Sequence, residues 1–382
     1  MVGRSIALLF VVVLCLGNGR LEAQPKKAGE AIQKMMTETP VAGLSVAVVK
    51  GKRVVYRQAF GSRNLEDGSP LRVDDMFRIA SISKTFAATS AMQLCEQGRL
   101  TLEDDVSGLI GFTVRNPSHP EKPITLRMLL SHRSSINDSQ GYFTLDAIDP
   151  SKNPDWAKCF SNYEPGSSYR YCNLNYNMVG TIVERASGQR YDQYVSRHIL
   201  DPLRLYGGYR VDSLDGSRFA RIYQYDVDSA RFLHSPAAYD PRRAEFAAYI
   251  PGRSTPILSP TGGMKISAGD LAEYMSMHMR KGLHRGRRIL SRSSTEEMQT
   301  PGSGEDGYGL AIMTSRDLIP GHVMKGHTGS AYGLYSLMFF DPVKRFGIVA
   351  ISNGCHPGQT AGFNTVLHRT ANILYENVVR KQ

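Results

Sequence analysis

The stretch FRIASISKTFAATSAMQLCEQG, Phe77 to Gly98, places Ser81 and Lys84 three positions apart at the head of an apolar run that stops at a glycine. From Thr85 to Gln97 the apolar spacing is that of a helix, and Gly98 suits the position just past its end, where a left-handed residue closes the last turn. Residues at i and i+3 of a helix share a face, with Cβ atoms about 5–6 Å apart. Lys84 then reaches the Ser81 hydroxyl. A serine is a poor nucleophile until a base removes its proton, and a lysine can be that base only when neutral. The positive end of the helix dipole and the apolar neighbours on both sides each disfavour the ammonium form. The Ser81 N–H, at the same helix start, is available as an oxyanion donor. A Ser-x-x-Lys pair alone is equally the start of a helix with a solvated lysine, so its meaning depends on what accompanies it.

Two further triplets accompany it in order. Tyr171, Cys172 and Asn173 begin 90 residues after Ser81, and His327, Thr328 and Gly329 begin 154 residues after Asn173. In this order and spacing the sequence resembles the serine β-lactamase and penicillin-binding protein superfamily, in its class C β-lactamase, DD-peptidase and family VIII esterase branch. The signatures of that branch are SxxK, YxN and KTG or HTG. Tyr375 to Asn377 shows that YxN recurs by chance, but the likeness covers most of the chain. VAGLSVAVVKGKRVVYRQAFG, ITLRMLLSHRSSI, PGSSYRYCNLNYNMVGTIVERASGQRYDQYV and SPTGGMKISAGDLAEYM all fall where the family has related segments.

The resemblance implies a Ser81 acyl-enzyme, with Lys84 taking the serine proton directly or through Tyr171. Tyr171 is expected to protonate the leaving group and activate the deacylating water, its pKa lowered by two cationic neighbours. Asn173 would hold Lys84 or a substrate amide, Thr328 would contact substrate, and the Ser330 N–H beyond Gly329 would be the second oxyanion donor. His327 stands where the family commonly has lysine. A histidine there titrates in the neutral range and supplies no permanent charge for a substrate carboxylate. That points away from an efficient β-lactamase and toward an amide or ester hydrolase of peptidase, D-amino-acid peptidase or esterase type. β-Lactamase proper and a non-catalytic cell-wall- or ligand-binding relative stay open as alternatives. His132, in a His-Arg-Ser-Ser segment where the family commonly reads HTSG, is expected to fix a loop. Cys172 is expected to point away into packing, and Trp156 to lie in the core or the cleft wall.

Composition is that of a globular protein, 41% hydrophobic and 21% charged over 382 residues. Arg4, the apolar run Ile6 to Leu16 and the small-residue end at Ala23 read as a cleavable signal peptide over residues 1–23. Export to a periplasm or the extracellular space follows as an expectation. The run is shorter than the roughly 20 residues a membrane-spanning helix needs, so no transmembrane anchor is expected after its removal. Four cysteines remain, Cys95, Cys159, Cys172 and Cys355, too sparse for a disulfide framework, with a Cys159 to Cys172 bridge left open. No CxxC, HExxH or histidine cluster calls for a metal, and no cofactor is expected. With the signal set aside, 44 basic and 34 acidic side chains leave a net charge of +10. That suits anionic polymers of a cell envelope. The densest basic run, Arg280 to Arg288, reads as a solvated loop, and nucleic acid is not expected as a partner. The substrate is a small molecule or a peptide, cell-wall fragments included, and the oligomeric state is left open.

The fold expected is a two-lobed α+β body. It has an antiparallel sheet flanked by helices, from about 24–90 and 255–382, and a mostly helical inserted lobe over about 91–254, the whole of 24–382 forming one domain. A hairpin is expected around Lys50 to Lys52, strands over YGLAIMT, HVMKGHTGSAYGLYSLMFFDP and RFGIVAISNG, and a closing helix over FNTVLHRTANILYENVVR. The junction of sheet and insertion is the natural place for a cleft.

Overall fold

A computed structural model describes residues 18–302, 304 and 306–380. A seven-stranded antiparallel sheet runs in the order Met313–Ser315, Met324–Ala331, Leu334–Asp341, Phe346–Cys355, Val41–Lys50, Arg53–Asn64, Ser69–Pro70. Both chain ends thus meet in one sheet, with Val46 opposite Ala350 and Ala47 opposite Val349. The Val41–Lys50 strand is buried on both faces, which explains its near-continuous apolar run. Leu44, Val46 and Val48 join Ile348, Ala350 and Phe339 under the N-terminal helix Asn18–Glu38 and the C-terminal helix Thr365–Leu374. Ala47 and Val49 face the other way, into the larger core with Phe86, Leu271, Met275 and Val349. The expected hairpin closes through Gly51, at φ 60°, and Lys52.

The Ser83–Glu96 helix is buried on nearly every side, its polar Ser83, Lys84, Thr85, Thr89 and Ser90 included, and lies in the large core between the sheet and the inserted helices. A helix with no solvent face is held by packing rather than by propensity. Gly98, at φ 68°, follows its last turn. The Asn173–Ser187 helix packs beside it and ends on Gly188 at φ 70°. At Gly180 a methyl group would run into the Pro260 ring, so the helix and the 255–264 loop approach closely only because no Cβ is present.

Several expectations differ from the structure. The first helix begins at Asn18, inside the segment read as signal peptide; the apolar run from Ile6 to Leu16 lies outside the described residues. Of YGLAIMT only Met313 onward is strand, because the Leu310 and Ala311 N–H groups bond to Met298 O and Leu130 O, away from the sheet. The inserted region carries a two-stranded hairpin, Tyr223–Asp226 with Arg231–His234. The basic run folds into a short hairpin, Leu283–His284 with Arg287–Arg288. Trp156 sits half-buried on a surface turn against Phe160, outside core and cleft. All four described cysteines are free, Cys159 bonding to Ala147 O and Cys172 to Asp138. Among the described residues no helix is long and apolar enough to cross a membrane.

Candidate active site

Ser81 lies in a single turn, Ala80–Ile82, that feeds the Ser83–Glu96 helix. Ala80 has φ 46°, a left-handed value that costs energy for a residue with a Cβ. Its neighbours hold it there: Ile79 N–H donates to Met264 O at 3.0 Å, and Ile79 O accepts from the Ser336 hydroxyl at 2.9 Å. The Met324–Ala331 strand passes alongside. A Cβ at Gly329 would collide with Ile79 O and Ser336 Oγ, so glycine is what lets the strand lie against the serine turn. The short Met313–Ser315 strand pairs only with Met324 to Gly326, which leaves His327 to Ala331 without a strand partner on that side.

Lys84 is fully buried one turn after Ser81. Its Nζ lies 3.1 Å from Ser81 Oγ, 2.9 Å from Asn173 Oδ1 and 3.0 Å from Thr261 O. Burial lowers its pKa to about 7, against the opposing pull of Asp138. The last two contacts are pure acceptors: Thr261 O is a carbonyl, and Asn173 is oriented by its Nδ2 donating to Asp138 Oδ2 at 3.0 Å. A neutral Lys84 amine therefore spends its two N–H groups on them, and its lone pair is left facing the Ser81 hydroxyl. Asp138 also accepts from the Asn173 and Leu174 N–H groups, capping the Asn173–Ser187 helix from another part of the chain. Asp138 and Thr261 were not among the residues picked from sequence; each stands in a polar loop far along the chain from the residue it orients.

Tyr171 stands beside Ser81 and Lys84, with Lys84 Nζ 4.8 Å from its ring centroid and the Ser81 side chain close enough to lower its pKa slightly. Tyr171 is 38% exposed, so its ring forms cleft wall while its hydroxyl is turned to the desolvated interior. Desolvation pushes the phenol above its usual 10, contrary to the lowering expected. Desolvation outweighs any help from the two expected cations, which burial itself weakens. Lys84 is lowered to about 7, and burial together with the nearby Lys84 lowers His327 to about 3.

His327 is 2% exposed. Its Nδ1 is 2.5 Å from Thr328 O, and its Nε2 is 3.0 Å from the Tyr308 hydroxyl. A carbonyl cannot donate, so Nδ1 carries the proton and Nε2 accepts from Tyr308. The imidazole is thus a strut engaged at both nitrogens; it supplies no permanent charge, as expected, but does not titrate in the neutral range. His132 is buried among Tyr169, Tyr171, Tyr176 and Tyr308, and accepts the Cys172 N–H on Nδ1 at 3.2 Å, tying its loop to the Tyr171 segment. Ser135, where the family commonly has glycine, adopts φ 63° nonetheless. Cys172 points away from the cleft.

Ser81, Tyr171, Asn173, His327, Thr328, Gly329 and Ser330 all border one cleft of about 750 Å³, with Lys84 beneath it. Among the described residues no group of three or more His, Cys, Asp or Glu is gathered as a metal site.

The Beta-lactamase family model matches residues 29–372. Penicillin-binding protein 4* of Bacillus subtilis (strain 168) is 29% identical over 202 residues, 50% of this chain and 43% of that protein. Penicillin-binding protein 4 of Amycolatopsis lactamdurans is 27% identical over 361 residues, 89% of this chain and 87% of its own. The chain thus spans less than half the length of the first of these relatives and most of the second. D-amino acid amidase from Ochrobactrum anthropi SV3 superposes with a TM-score of 0.72 at 20% identity, covering 93% of this chain and 98% of that one. The chain belongs to the Beta-lactamase family.

Proposed function

We propose that this protein hydrolyses an amide or ester, of peptidase, D-amino-acid peptidase or esterase type, through an acyl-enzyme on Ser81. The observation that carries the reading is the Lys84 amine, whose other contacts are acceptors and whose lone pair has Ser81 as its only destination. Lys84 takes the Ser81 proton as Oγ attacks the carbonyl. The tetrahedral oxyanion sits between the N–H groups of Ser81 and Ser330, and Tyr171, a phenol with a raised pKa, passes a proton to the leaving group. Water then cleaves the ester by the reverse proton path, which returns the serine proton and frees the acid. His327, neutral and held on both nitrogens, offers no charge to a β-lactam carboxylate, which favours amides and esters over lactams.

A fluorophosphonate should add one fixed mass increment to the protein at Ser81. Equal labelling of Ser81→Ala would defeat the reading. A turnover panel of nitrocefin, D-Ala-D-Ala peptides, D-amino-acid amides and short-chain p-nitrophenyl esters then sorts the substrate class. Export is part of the proposal: expressed in a bacterial host, the mature chain should begin just after Ala23, and an intact Met1 in the cell-free fraction would refute it.

A further inference from the structure

Beside the cleft lies a second chamber of about 190 Å³, which shares Arg78, Phe143, Ser259 and Tyr332 with it. Arg78 comes three residues before Ser81, so the chamber branches off next to the serine turn. Its basic groups are arranged in an unusual way. Arg78, in the strand Met76–Arg78, pairs directly with Lys265, in the strand Lys265–Ser267. Like charges opposite one another across a ladder destabilise a sheet.

Among the described residues neither is paired with an acid. Arg78 donates to three neutral oxygens, Gly262 O at 2.9 Å, Ala238 O at 3.3 Å and Ser259 Oγ at 3.4 Å, and its guanidinium stands 5.1 Å from the Tyr332 ring centroid. Lys265 is 4% exposed and donates only to Tyr209 O, itself a neutral carbonyl. Arg242 and Arg210 add charge at the rim, the first paired with Glu245 and the second over Phe246. The one carboxylate lining the chamber, Asp240, is exposed and accepts from the Arg242 N–H. Burial and the charge of Arg78 hold the Lys265 amine well below its usual range, and Arg78, half-buried, keeps its charge among neutral partners. An anion arriving between the two would favour the ammonium form of Lys265 and be shared by both.

We propose that this chamber is a carboxylate subsite. Arg78 and Lys265 receive an acid group carried by the substrate while its scissile carbonyl sits at Ser81. The proposal rests on the hydrolase reading above, and it moves the recognition of negative charge from His327 to the opposite side of the serine turn. The substrate class is thereby narrowed to amides or esters with a carboxylate arm short enough to turn past Tyr332.

The test has two arms. In the first, glutarate binding to Ser81→Ala protein is followed by calorimetry, with and without Lys265→Met. In the second, kcat/KM is compared for p-nitrophenyl hydrogen glutarate and for its methyl ester, in wild type, Lys265→Met and Arg242→Gln. Methionine keeps the length and apolar stem of lysine, and the change removes a buried amine bonded to the Tyr209 carbonyl. We expect glutarate to bind and Lys265→Met to weaken it. We also expect the acid-to-neutral ratio to fall about tenfold in Lys265→Met, the size of one hydrogen bond to a charged group. Glutarate binding with an unchanged ratio would mean a free-anion site and overturn the substrate arm; no binding and no preference would overturn the subsite. If no ester is turned over at all, the hydrolase reading fails instead, and the calorimetric arm alone decides the subsite.

Discussion

Lys84 Nζ stands 3.1 Å from Ser81 Oγ, and its two other contacts, Asn173 Oδ1 and Thr261 O, can only accept. The amine is useful as a base only when deprotonated, and burial lowers its pKa to about 7. Protonation below that value removes the lone pair, so kcat/KM should climb through about pH 7 and level off above it. The phenol of Tyr171, pushed above 10, keeps its proton across that plateau. A pH profile of ester hydrolysis should show this single ascending limb, and Lys84→Met should lower kcat/KM by about a hundredfold or more, the usual size of a general-base contribution. A profile flat from about pH 5 to about pH 9 would remove Lys84 from the role.

His327 is lowered to about 3 by burial, with its tautomer set by Thr328 O and the Tyr308 hydroxyl. It therefore contributes no ionisation near neutrality. In His327→Gln the ascending limb near pH 7 should persist, because it belongs to Lys84, while the rate falls as the strut to Tyr308 is lost. Disappearance of the limb in that variant would return the titration to the histidine.

Residues whose role is written in local pattern were legible in the sequence. Gly98 and Gly188 end their helices at positive φ, and the two-faced burial of Val41–Lys50 follows from its unbroken apolar run. The meeting of Ser81, Lys84, Tyr171, Asn173 and His327 around one cleft was also foreseeable, from the family resemblance that the order of the three motifs carries. What burial decides was not. The Tyr171 pKa moved opposite to expectation, and His327 left the neutral titration range, because a sequence does not show how dry a site is. Asp138 caps a helix whose first residue lies 35 positions away, a contact no local window contains. The left-handed turn at Ala80 is hidden for a related reason: alanine carries none of the signal that glycine would.

Asp138 accepts from both the backbone and the side chain of Asn173 and raises the pKa of Lys84 by its charge. Asp138→Asn keeps the shape but removes that charge and turns an N–H₂ toward donors. The ascending limb of the pH profile should move to lower pH, since a neutral neighbour no longer favours the ammonium form. Thermal unfolding should register the lost helix cap as about 1–2 kcal/mol. A limb that stays in place or moves up would show that Asp138 does not act on Lys84 electrostatically.

Gly329 and Ala80 press against one another across the serine turn, and a Cβ at Gly329 would collide with Ile79 O and the Ser336 hydroxyl that holds it. Gly329→Ala must therefore shift either the strand or the turn. Either shift opens the gap between the Ser81 and Ser330 N–H groups, which an oxyanion needs at hydrogen-bonding distance from both. Overpacking of this kind costs about 1–3 kcal/mol of stability. Its larger effect should fall on kcat, by about a hundredfold, the size of losing one oxyanion donor. Stopped-flow measurement of acylation with a p-nitrophenyl ester separates the two effects: a slow acylation step is the expected result, and an unaltered acylation rate would show that this strand does not set the oxyanion geometry.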